Sequence, residues 1–447
     1  MSLERTLAPG QRVAVVGAGI AGLATAYLLS RRHQVTLFEA GDYLGGHAHT
    51  VDVELDGFRA PVDTGFLVFN DKTYPNLIAL FAELGIASYR SDMSFSVSID
   101  NGHLEWAGTS LNTIFAQRRN AFSPTFLSML GDILRFNKSA PAHLETAMRS
   151  GYSVGDMLVA EGYGTPFQYH YLLPMASAIW SSAVADILRF PAETFLRFCL
   201  NHALLQVNGR PPWSTVAGGS RSYVDRIASG LDDIRLNTAV RGIRRDDEGV
   251  TLITDVAGPQ RFDAVVLASH APTSLRLLED ADMQERAALG AIRYQPNAAV
   301  LHTDPALLPR RRRVWSAWNY LSRHRAQDKG RSVSRDAVRN DESHRPPVCV
   351  SYLLNQLQSL PFQTPVVLTL NPVSEPASQS VLGRYHYDHP LLDLAATAAQ
   401  RHIPALQGQR RTWFAGAWTG YGFHEDGLKS ALRVAADFGV EPAWARL

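Results

Sequence analysis

The sequence predicts an α/β fold that carries a mixed, largely helical insert. Near the N-terminus an apolar run, residues 13–16, leads into Gly17-Ala18-Gly19-Ile20-Ala21-Gly22 and a helix-forming stretch. Near the C-terminus a second apolar run, residues 412–415, leads into another glycine-rich loop and helix. Between them, residues 90–205 are mostly helical in pattern and lack alternation of strand and helix, which is typical of an inserted domain.

The N-terminal unit has the order strand, glycine turn, helix, strand and acid. We expect Gly17 to make the tight turn, Gly19 to let the backbone approach a pyrophosphate, and Gly22 to let the helix pack closely. The helix N-terminus offers free N–H groups and a positive dipole end to phosphates. A second strand, residues 35–38, ends on Glu39, which is placed to accept hydrogen bonds from ribose hydroxyls. These features predict a Rossmann-like dinucleotide-binding domain.

The C-terminal unit distinguishes between dinucleotides. NAD and FAD sites share the N-terminal fingerprint, but an NAD dehydrogenase rarely needs a second strand–loop–helix unit at its C-terminus. Residues 414–418 and 420–431 form such a unit, and we expect its helix to begin near Gly427. The positive end of that helix would then lie beside a flavin ring and stabilise negative charge there. The sequence therefore favours FAD.

The paired motifs resemble the flavin-containing amine oxidase and phytoene desaturase superfamily, and within it a bacterial subgroup of FAD-dependent oxidoreductases. The resemblance covers both ends strongly and the middle in patches. It depends on residues 45–50 (Gly-Gly-His-Ala-His-Thr), 213–220 (Trp-Ser-Thr-Val-Ala-Gly-Gly-Ser) and 420–427 (Gly-Tyr-Gly-Phe-His-Glu-Asp-Gly). It implies a glutathione-reductase-like FAD-binding domain. Genes of this subgroup often lie beside cyclopropane fatty acyl synthase genes, an association that suggests a lipid substrate.

The resemblance also implies which positions contact the cofactor. The N-terminal glycines would hold the pyrophosphate, Gly45 and Gly46 would line a second phosphate turn, and Val240 would meet the adenine edge. Gly416 would contact the ribityl end, and residues 426–428 would contact the isoalloxazine. The full set of implied FAD contacts is Gly17, Gly19, Gly22, Glu39, Gly45, Gly46, His47, Val240, Ala268, Gly416, Asp426, Gly427 and Leu428.

His47 departs from the pattern of the superfamily, which often has an arginine directly after the glycine pair. A neutral histidine can still donate one hydrogen bond, so FAD binding is expected to survive this change. The C-terminal loop contains no cysteine that could form a thioether to the flavin. We therefore expect non-covalent FAD, with a histidyl linkage through His47 or His49 as the alternative.

The predicted catalytic residues, His424, Glu425 and Tyr421, lie just before the turn that would face the flavin. His424 is suited by its pKa to act as a base, and Glu425 is suited if it is partly buried. The alternative is that both are loop residues bound to the backbone or to each other. Tyr421 and Phe423 would line the substrate channel, with ordinary packing as the alternative. The scattered histidines show no zinc-ligand spacing, so no metal is expected.

Composition narrows the class of partner. A net charge of +1 over 447 residues provides no global field that would attract nucleic acid. The lack of a signal peptide and of a long apolar run predicts a cytoplasmic protein, and it leaves peripheral membrane contact open. The arginine-rich stretch 310–345 is expected to be a solvated loop, with a patch for anionic lipid headgroups as the alternative.

We divide the chain into an FAD-binding domain, residues 1–89, 213–275 and 405–447, a helical insert, residues 90–212, and a strand-containing substrate segment, residues 276–404. The apolar insert favours a lipid-like substrate such as a fatty acyl chain. The predicted function is FAD-dependent removal of a hydride from a C–H bond, giving a desaturated, isomerised or oxidised product. The alternatives are an amine oxidase that produces hydrogen peroxide and a non-catalytic flavin-binding redox or partner-binding protein.

Overall fold

The computed structural model describes residues 8–206, 209, 211–322 and 348–446. Its strands are β1 Arg12–Val16, β2 Gln34–Phe38, β3 Thr50–Leu55, β4 Phe58–Asp63, β5 Phe69–Asn70, β6 Ser88–Ser91, β7 Phe95–Ile99, β8 Leu104–Ala107, β9 Trp213–Val216, β10 Asp233–Arg235, β11 Val240–Arg245, β12 Val250–Thr254, β13 Gln260–Phe262, β14 Ala264–Leu267, β15 Tyr294–His302, β16 Trp318–Ser322, β17 Cys349–Leu353, β18 Val367–Leu370, β19 Val381–Pro390 and β20 Thr412–Phe414. Its α-helices are α1 Ile20–Leu29, α2 Pro75–Leu84, α3 Leu111–Ile114, α4 Pro124–Ser150, α5 Val154–Ala160, α6 Thr165–Phe167, α7 Leu173–Trp180, α8 Val184–Ile187, α9 Ala192–Asn201, α10 Arg221–Ala228, α11 Ala271–Leu277, α12 Met283–Gly290, α13 Leu354–Leu357, α14 Leu394–Gln400, α15 Ile403–Leu406 and α16 His424–Asp437.

A parallel five-stranded sheet forms the centre of the dinucleotide-binding part, in the order β10-β2-β1-β14-β20. Because successive side chains alternate between the faces of a strand, β1 supplies both sides of the core. Val13 and Val15 pack with the helices α1, α2, α10 and α16, whereas Ala14 and Val16 pack with β11–β13 and the helices α11, α12, α14 and α15. This arrangement confirms the predicted Rossmann-like α/β fold.

A seven-stranded mixed sheet, in the order β19-β15-β18-β17-β16-β7-β8, forms the second part. Its strands share one hydrophobic core with the helices α4 to α9. The largely helical character predicted for residues 90–205 is found, after the short hairpin of β7 and β8. The exact domain boundaries stay a prediction.

The longest helix of the insert, α4, is amphipathic. Its N-terminus follows the usual signals, since Ser123 accepts a hydrogen bond from the Phe126 N–H and a proline occupies the first turn. It ends at Gly151, whose φ of +65° a glycine adopts without strain. Between α6 and α7 the chain forms a π-helical turn, Gln168–Leu172, a form that is frequent at functional sites.

The arginine-rich stretch lies only partly within the described residues. Residues 323–345, the less hydrophobic part of the arginine-rich stretch, lie outside the described residues, whereas residues 310–322 lie within them. Over the part of the chain that the structure describes, no helix combines the length and the apolar composition that a membrane span requires.

Candidate active site

The first glycine turn connects β1 to α1 beneath the end of β14. Gly17 has φ of +102°, and a Cβ at this position would lie 3.0 Å from the Ala268 carbonyl oxygen. The Gly17 N–H donates to the Phe38 carbonyl at 2.8 Å, so the turn is tied to the end of β2 as well. The predicted cofactor residue Ala268 therefore lies directly against the turn.

Gly19 and Gly22 have opposite surroundings. A Cβ on Gly22 would overlap the Gly17 carbonyl, at 2.9 Å from its carbon and closer still to its oxygen. A Cβ on Gly19 would meet nothing within 4 Å, and no side chain caps α1 at this position. Gly22 is thus needed for packing, while Gly19 borders open space at the helix N-terminus, where unpaired N–H groups can bind a phosphate.

Gly45 and Gly46 place a second turn against the first. The Gly45 N–H donates to the Ala18 carbonyl at 2.8 Å, and a Cβ on Gly46 would lie 3.2 Å from the Gly19 Cα. The structure therefore brings together the two glycine turns that the sequence predicts to line the phosphates.

Glu39 lies at the end of β2, at the edge of the same turn. One carboxylate oxygen accepts from the Ala18 N–H and the other from the Gly41 N–H, both at 2.8 Å. The backbone that leads into β11 is fastened here too, because the Thr238 N–H donates to the Glu39 carbonyl at 2.9 Å. This contact brings the buried Val240, at the start of β11, to the side of the turn where the adenosine end is predicted.

The C-terminal helix starts earlier than predicted. We expected it near Gly427, but α16 begins at His424, because Asp426 accepts the Phe423 N–H at 3.0 Å and closes the first turn. A Cβ on Gly427 would lie 2.8 Å from the Ile20 side chain, so this glycine lets α16 pack closely against α1. Leu428, next to it, is fully buried.

Gly416 lies between β20 and α16. Its N–H donates to the Ser430 hydroxyl at 2.8 Å, which ties the loop back to the helix. A side chain on Gly416 would run into the Trp418 ring. The predicted ribityl contact therefore follows the last strand of the parallel sheet, at the carboxyl ends of its strands, where open α/β sheets bind ligands.

His424 is buried and held by two aromatic neighbours. Its Nε2 lies 2.8 Å from the Tyr223 hydroxyl, and its ring stacks on Phe66 at 3.8 Å between centroids. Burial lowers the pKa of His424 to about 3, so the imidazole is neutral. Its Nε2 is engaged by Tyr223, which favours a packing role for His424, at the first position of α16, over that of a general base.

Glu425 binds the start of α2. One carboxylate oxygen accepts from the Asn76 side-chain amide at 2.7 Å and the Asn76 N–H at 3.1 Å, and the other accepts from the Leu77 N–H at 3.0 Å. Burial raises the pKa of the Glu425 carboxyl. The carboxylate therefore caps a helix that is far away in the sequence, and its catalytic role stays a prediction that these contacts do not favour.

Tyr421 and Phe423 pack against the insert. The Phe423 ring stacks on Phe198 of α9 at 5.0 Å, and Tyr421 lies 5.8 Å from the same ring. Both line a cavity of about 230 Å³ whose other walls come from α9, the start of α2 and the first turn of α16. Burial raises the pKa of Tyr421, so its phenol is a hydrogen-bond donor rather than a base.

His47 directly follows the second glycine turn, and its ring packs against β19. Its Nε2 is shielded from solvent and has no hydrogen-bond partner among the described residues. Burial, together with nearby histidines, lowers the pKa of His47 well below its usual range. A neutral imidazole with an unpartnered nitrogen fits a site that a polar ligand completes.

Sequence reasoning missed the face of β19 that lies against this loop. Tyr387 and His389 stand two residues apart, with rings 5.1 and 5.3 Å from that of His47. The Tyr387 hydroxyl also lies 3.1 Å from His49 Nδ1 and 2.7 Å from the Thr64 hydroxyl. The alternation of aromatic residues within a strand was the available signal, but it does not reveal which loop the face meets.

Comparison with known proteins gives a consistent picture. A model of the flavin-containing amine oxidoreductase family matches residues 20–438. Coproporphyrinogen III oxidase of Mycobacterium leprae (strain TN) is 26% identical over 306 residues, which cover 65% of this chain and 66% of that protein, just under two thirds of its length. The CLA-producing fatty acid isomerase from P. acnes has a similar structure, with a TM-score of 0.63, 14% identity and coverage of 98% of this chain and 100% of that chain. Cyclohexylamine oxidase from Brevibacterium oxydans IH-35A gives a TM-score of 0.62, 16% identity and coverage of 96% and 100%.

Proposed function

Because the chain belongs to the flavin-containing amine oxidoreductase family, we propose that it removes a hydride, with FAD, from a C–H bond of a hydrophobic substrate such as a fatty acyl chain. Family membership confirms three predictions: the superfamily, FAD as the cofactor and the oxidoreductase class. The similar solved structures confirm the fold. The substrate, the reaction and the roles of individual residues belong to the proposal.

The residues around the two glycine turns fit FAD. The open space over Gly19 and the free N–H groups of α1 suit a pyrophosphate, and Glu39 suits a ribose. The unpartnered Nε2 of His47 and the N-terminal turn of α16 would lie toward the flavin end. When bound, FAD supplies a two-electron acceptor for the hydride.

Non-covalent binding is the form that we propose. Cys199 lies buried in α9 and Cys349 lies buried in β17, so neither belongs to the C-terminal loop. A denatured sample that releases all of its flavin into the supernatant would support this form. A flavin that remains with the precipitated protein would favour the histidyl linkage through His47 or His49.

The aromatic contacts of Tyr421 and Phe423 with the insert are the observation that carries the proposed substrate class, whereas the rest of the cavity that they line is mostly polar, with Lys72, Glu425 and Lys429 among its residues. One wall comes from the C-terminal loop, which we predict to lie at the flavin, and another from the end of α9 in the insert. Phe423 continues into the aromatic core of the insert through Phe198, which packs on Trp180 at 4.6 Å. An apolar chain that enters between these elements would exchange water for aromatic surface, and this stabilises its binding.

The surroundings of His424 and Glu425 support transfer of the hydride to FAD without a strong side-chain base, so the proton that the neighbouring carbon releases as a double bond forms would pass to solvent at the mouth of the cavity. The first is neutral and bonded to Tyr223, and the second is bonded to the start of α2. What the chain supplies instead is position and exclusion of water from the C–H bond. Tyr421 and Glu425 both line the cavity, and because the Glu425 carboxylate is bonded to the start of α2, we assign Tyr421 the role of a hydrogen-bond donor.

The test is the visible absorption band of the purified, FAD-loaded protein, recorded without oxygen. We expect phospholipid-derived acyl substrates to bleach the band and an amine panel to leave it unchanged. The rate of bleaching should fall about tenfold or more in Tyr421→Phe if its hydroxyl assists the reaction. Tyr27→Phe is the matched control, because Tyr27 lies on α1 and its hydroxyl donates to Glu83.

Each other outcome has a defined meaning. Bleaching by amines alone would replace the proposal with an amine oxidase. A stable band that no acyl substrate or amine bleaches would favour a flavin-binding redox or partner-binding protein. Equal bleaching rates in wild type and Tyr421→Phe would reduce Tyr421 to a wall of the cavity.

A further inference from the structure

A surface that combines exposed apolar side chains with exposed arginines lies around the start of α4. Phe122 is 88% exposed and Leu111 is 74% exposed. Leu127 and Leu134 are exposed as well, and because they are seven residues apart on α4 they share one helix face. A single exposed apolar residue is ordinary, but several on adjoining elements mark an interaction surface.

The backbone holds Phe122 outside the core. Ser123 is the cap of α4, so Phe122 occupies the position before the cap. An apolar residue there commonly packs on the fourth helical residue, which is Leu127 in this chain. Phe122 nevertheless keeps 88% of its surface exposed and Leu127 keeps 45%, so the pair does not bury itself and the Phe122 ring projects.

Two exposed arginines just before Phe122, Arg118 and Arg119, have no carboxylate partner among the described residues. Arg118 donates to the Phe115 carbonyl at 3.0 Å and to Asn112 Oδ1 at 2.6 Å. Arg119 donates to the His103 carbonyl at 2.6 Å. These acceptors are all uncharged, so both guanidinium groups remain available to anions.

A run of four arginines, which starts at Arg310, lies against the turn of residues 100–103 between β7 and β8. The Arg310 side chain packs on Gly102, the residue before the one that binds Arg119. Arg311 pairs with the buried Glu105 at 2.7 Å, so its charge is compensated. The other three arginines of the run are exposed, and within the described residues none of them pairs with a carboxylate.

We propose that this surface docks the protein on an anionic lipid bilayer. The apolar side chains would enter the boundary between headgroups and acyl chains, and the arginines would bind the headgroups. The exposed cationic members are Arg118, Arg119, Arg310, Arg312 and Arg313. One exposed acid, Asp100, lies on the same turn, so positive charge predominates there although the whole chain carries only +1.

The shape and the charge favour a bilayer over a protein partner. A projecting phenylalanine beside arginines enters a fluid interface without a preformed pocket, whereas a folded partner would need an acidic surface with a matching cavity. Docking on a bilayer would set where the protein acts. It can be tested whatever the substrate is, because vesicle binding is measured without turnover.

The experiment is flotation of the full FAD-loaded protein with two kinds of vesicle. One is phosphatidylcholine alone, and the other is phosphatidylcholine with about 30 mol% phosphatidylglycerol. We expect binding to the anionic vesicles at low salt and little binding to the neutral ones. Phe122→Ser should weaken partition by at least about tenfold. The double variant Arg118→Gln/Arg119→Gln should weaken it by roughly 25-fold, about fivefold for each arginine.

Matched controls lie on α11 and α12. Met283 is 85% exposed, so Met283→Ser removes an equally exposed apolar side chain. Arg276 and Arg286 are exposed and donate to uncharged oxygens, so their double glutamine variant removes the same charge elsewhere. Both controls should bind vesicles as the wild type does.

Three results would overturn the proposal. The first is a wild type that does not bind anionic vesicles at low salt. The second is an equal loss of binding in the control variants and the test variants. The third is self-association of the wild type in sedimentation that Phe122→Ser abolishes, without any binding to vesicles. This result would make the surface an interface between copies of the chain.

Discussion

Two alanine substitutions, one at Gly19 and one at Gly22, separate cofactor binding from folding. Both glycines belong to one turn, and neither has a positive φ that would strain alanine. At Gly19 the backbone is extended, with φ of −71°, and an added Cβ meets nothing within 4 Å. At Gly22 the added Cβ overlaps the Gly17 carbonyl, 2.9 Å from its carbon.

The expected magnitudes follow from these distances. Gly19→Ala should leave the apoprotein as stable as the wild type or stabilise it by about 0.4–1 kcal/mol, because the unfolded chain loses freedom. Its Cβ fills the space that we assign to the pyrophosphate, so FAD should bind at least about tenfold more weakly, or about 1.4 kcal/mol. Gly22→Ala gains about 1 kcal/mol of helix propensity. It must still push α1 away from β1, for which we expect a net loss of about 2 kcal/mol.

The assay measures both quantities on each variant. Thermal unfolding of the apoprotein reports on folding, and quenching of flavin fluorescence during titration reports on FAD affinity. Wild-type affinity in Gly19→Ala would refute the placement of the pyrophosphate over this residue. A melting temperature of Gly22→Ala equal to that of the wild type would refute the close packing of α1 on the turn.

Two further predictions concern the first turn of α16. Glu425→Ala leaves buried amide donors of Asn76 and Leu77 without an acceptor, so it should lower the free energy of unfolding by about 1–3 kcal/mol in urea; an unchanged urea midpoint would contradict the capping role. Burial raises the pKa of Asp426 to about 6, so between about pH 4 and pH 6 the folded state binds a proton that the unfolded state releases. Wild-type apoprotein should therefore lose stability relative to Asp426→Asn as pH rises through this window, by up to about 3 kcal/mol. Urea unfolding of both proteins at each end of the window measures this difference in stability. A difference that is the same at both ends would contradict the prediction.

The parts of the fold that were predicted correctly are those that local sequence determines. The turn from Gly17 to Gly22 needs small residues at fixed spacing, whatever surrounds it, so its role is visible in the sequence. The apolar run before each glycine loop likewise predicts a strand that is covered on both faces.

The contacts of Glu425 and of β19 could not be predicted in this way. Glu425 binds Asn76 across most of the length of the chain, and no local pattern indicates such a pairing. Tyr387 and His389 of β19 contact His47, and this contact depends on tertiary packing between distant parts of the chain. The start of α16 was misplaced for a different reason, since Asp426 was interpreted as a flavin contact and not as a helix cap.

The predicted FAD contacts lie beside the parallel sheet, whereas the cavity is lined partly by the insert. This difference explains why the cofactor is easier to infer than the substrate. The two glycine turns and Glu39, which we assign to the phosphates and the ribose, are held by backbone contacts next to the parallel sheet. Asn201 and His202, which form part of the lining of the cavity beside Phe423, come from the end of α9 in the insert, outside the parallel sheet. We therefore expect substrate choice to depend on how the insert packs on the C-terminal loop.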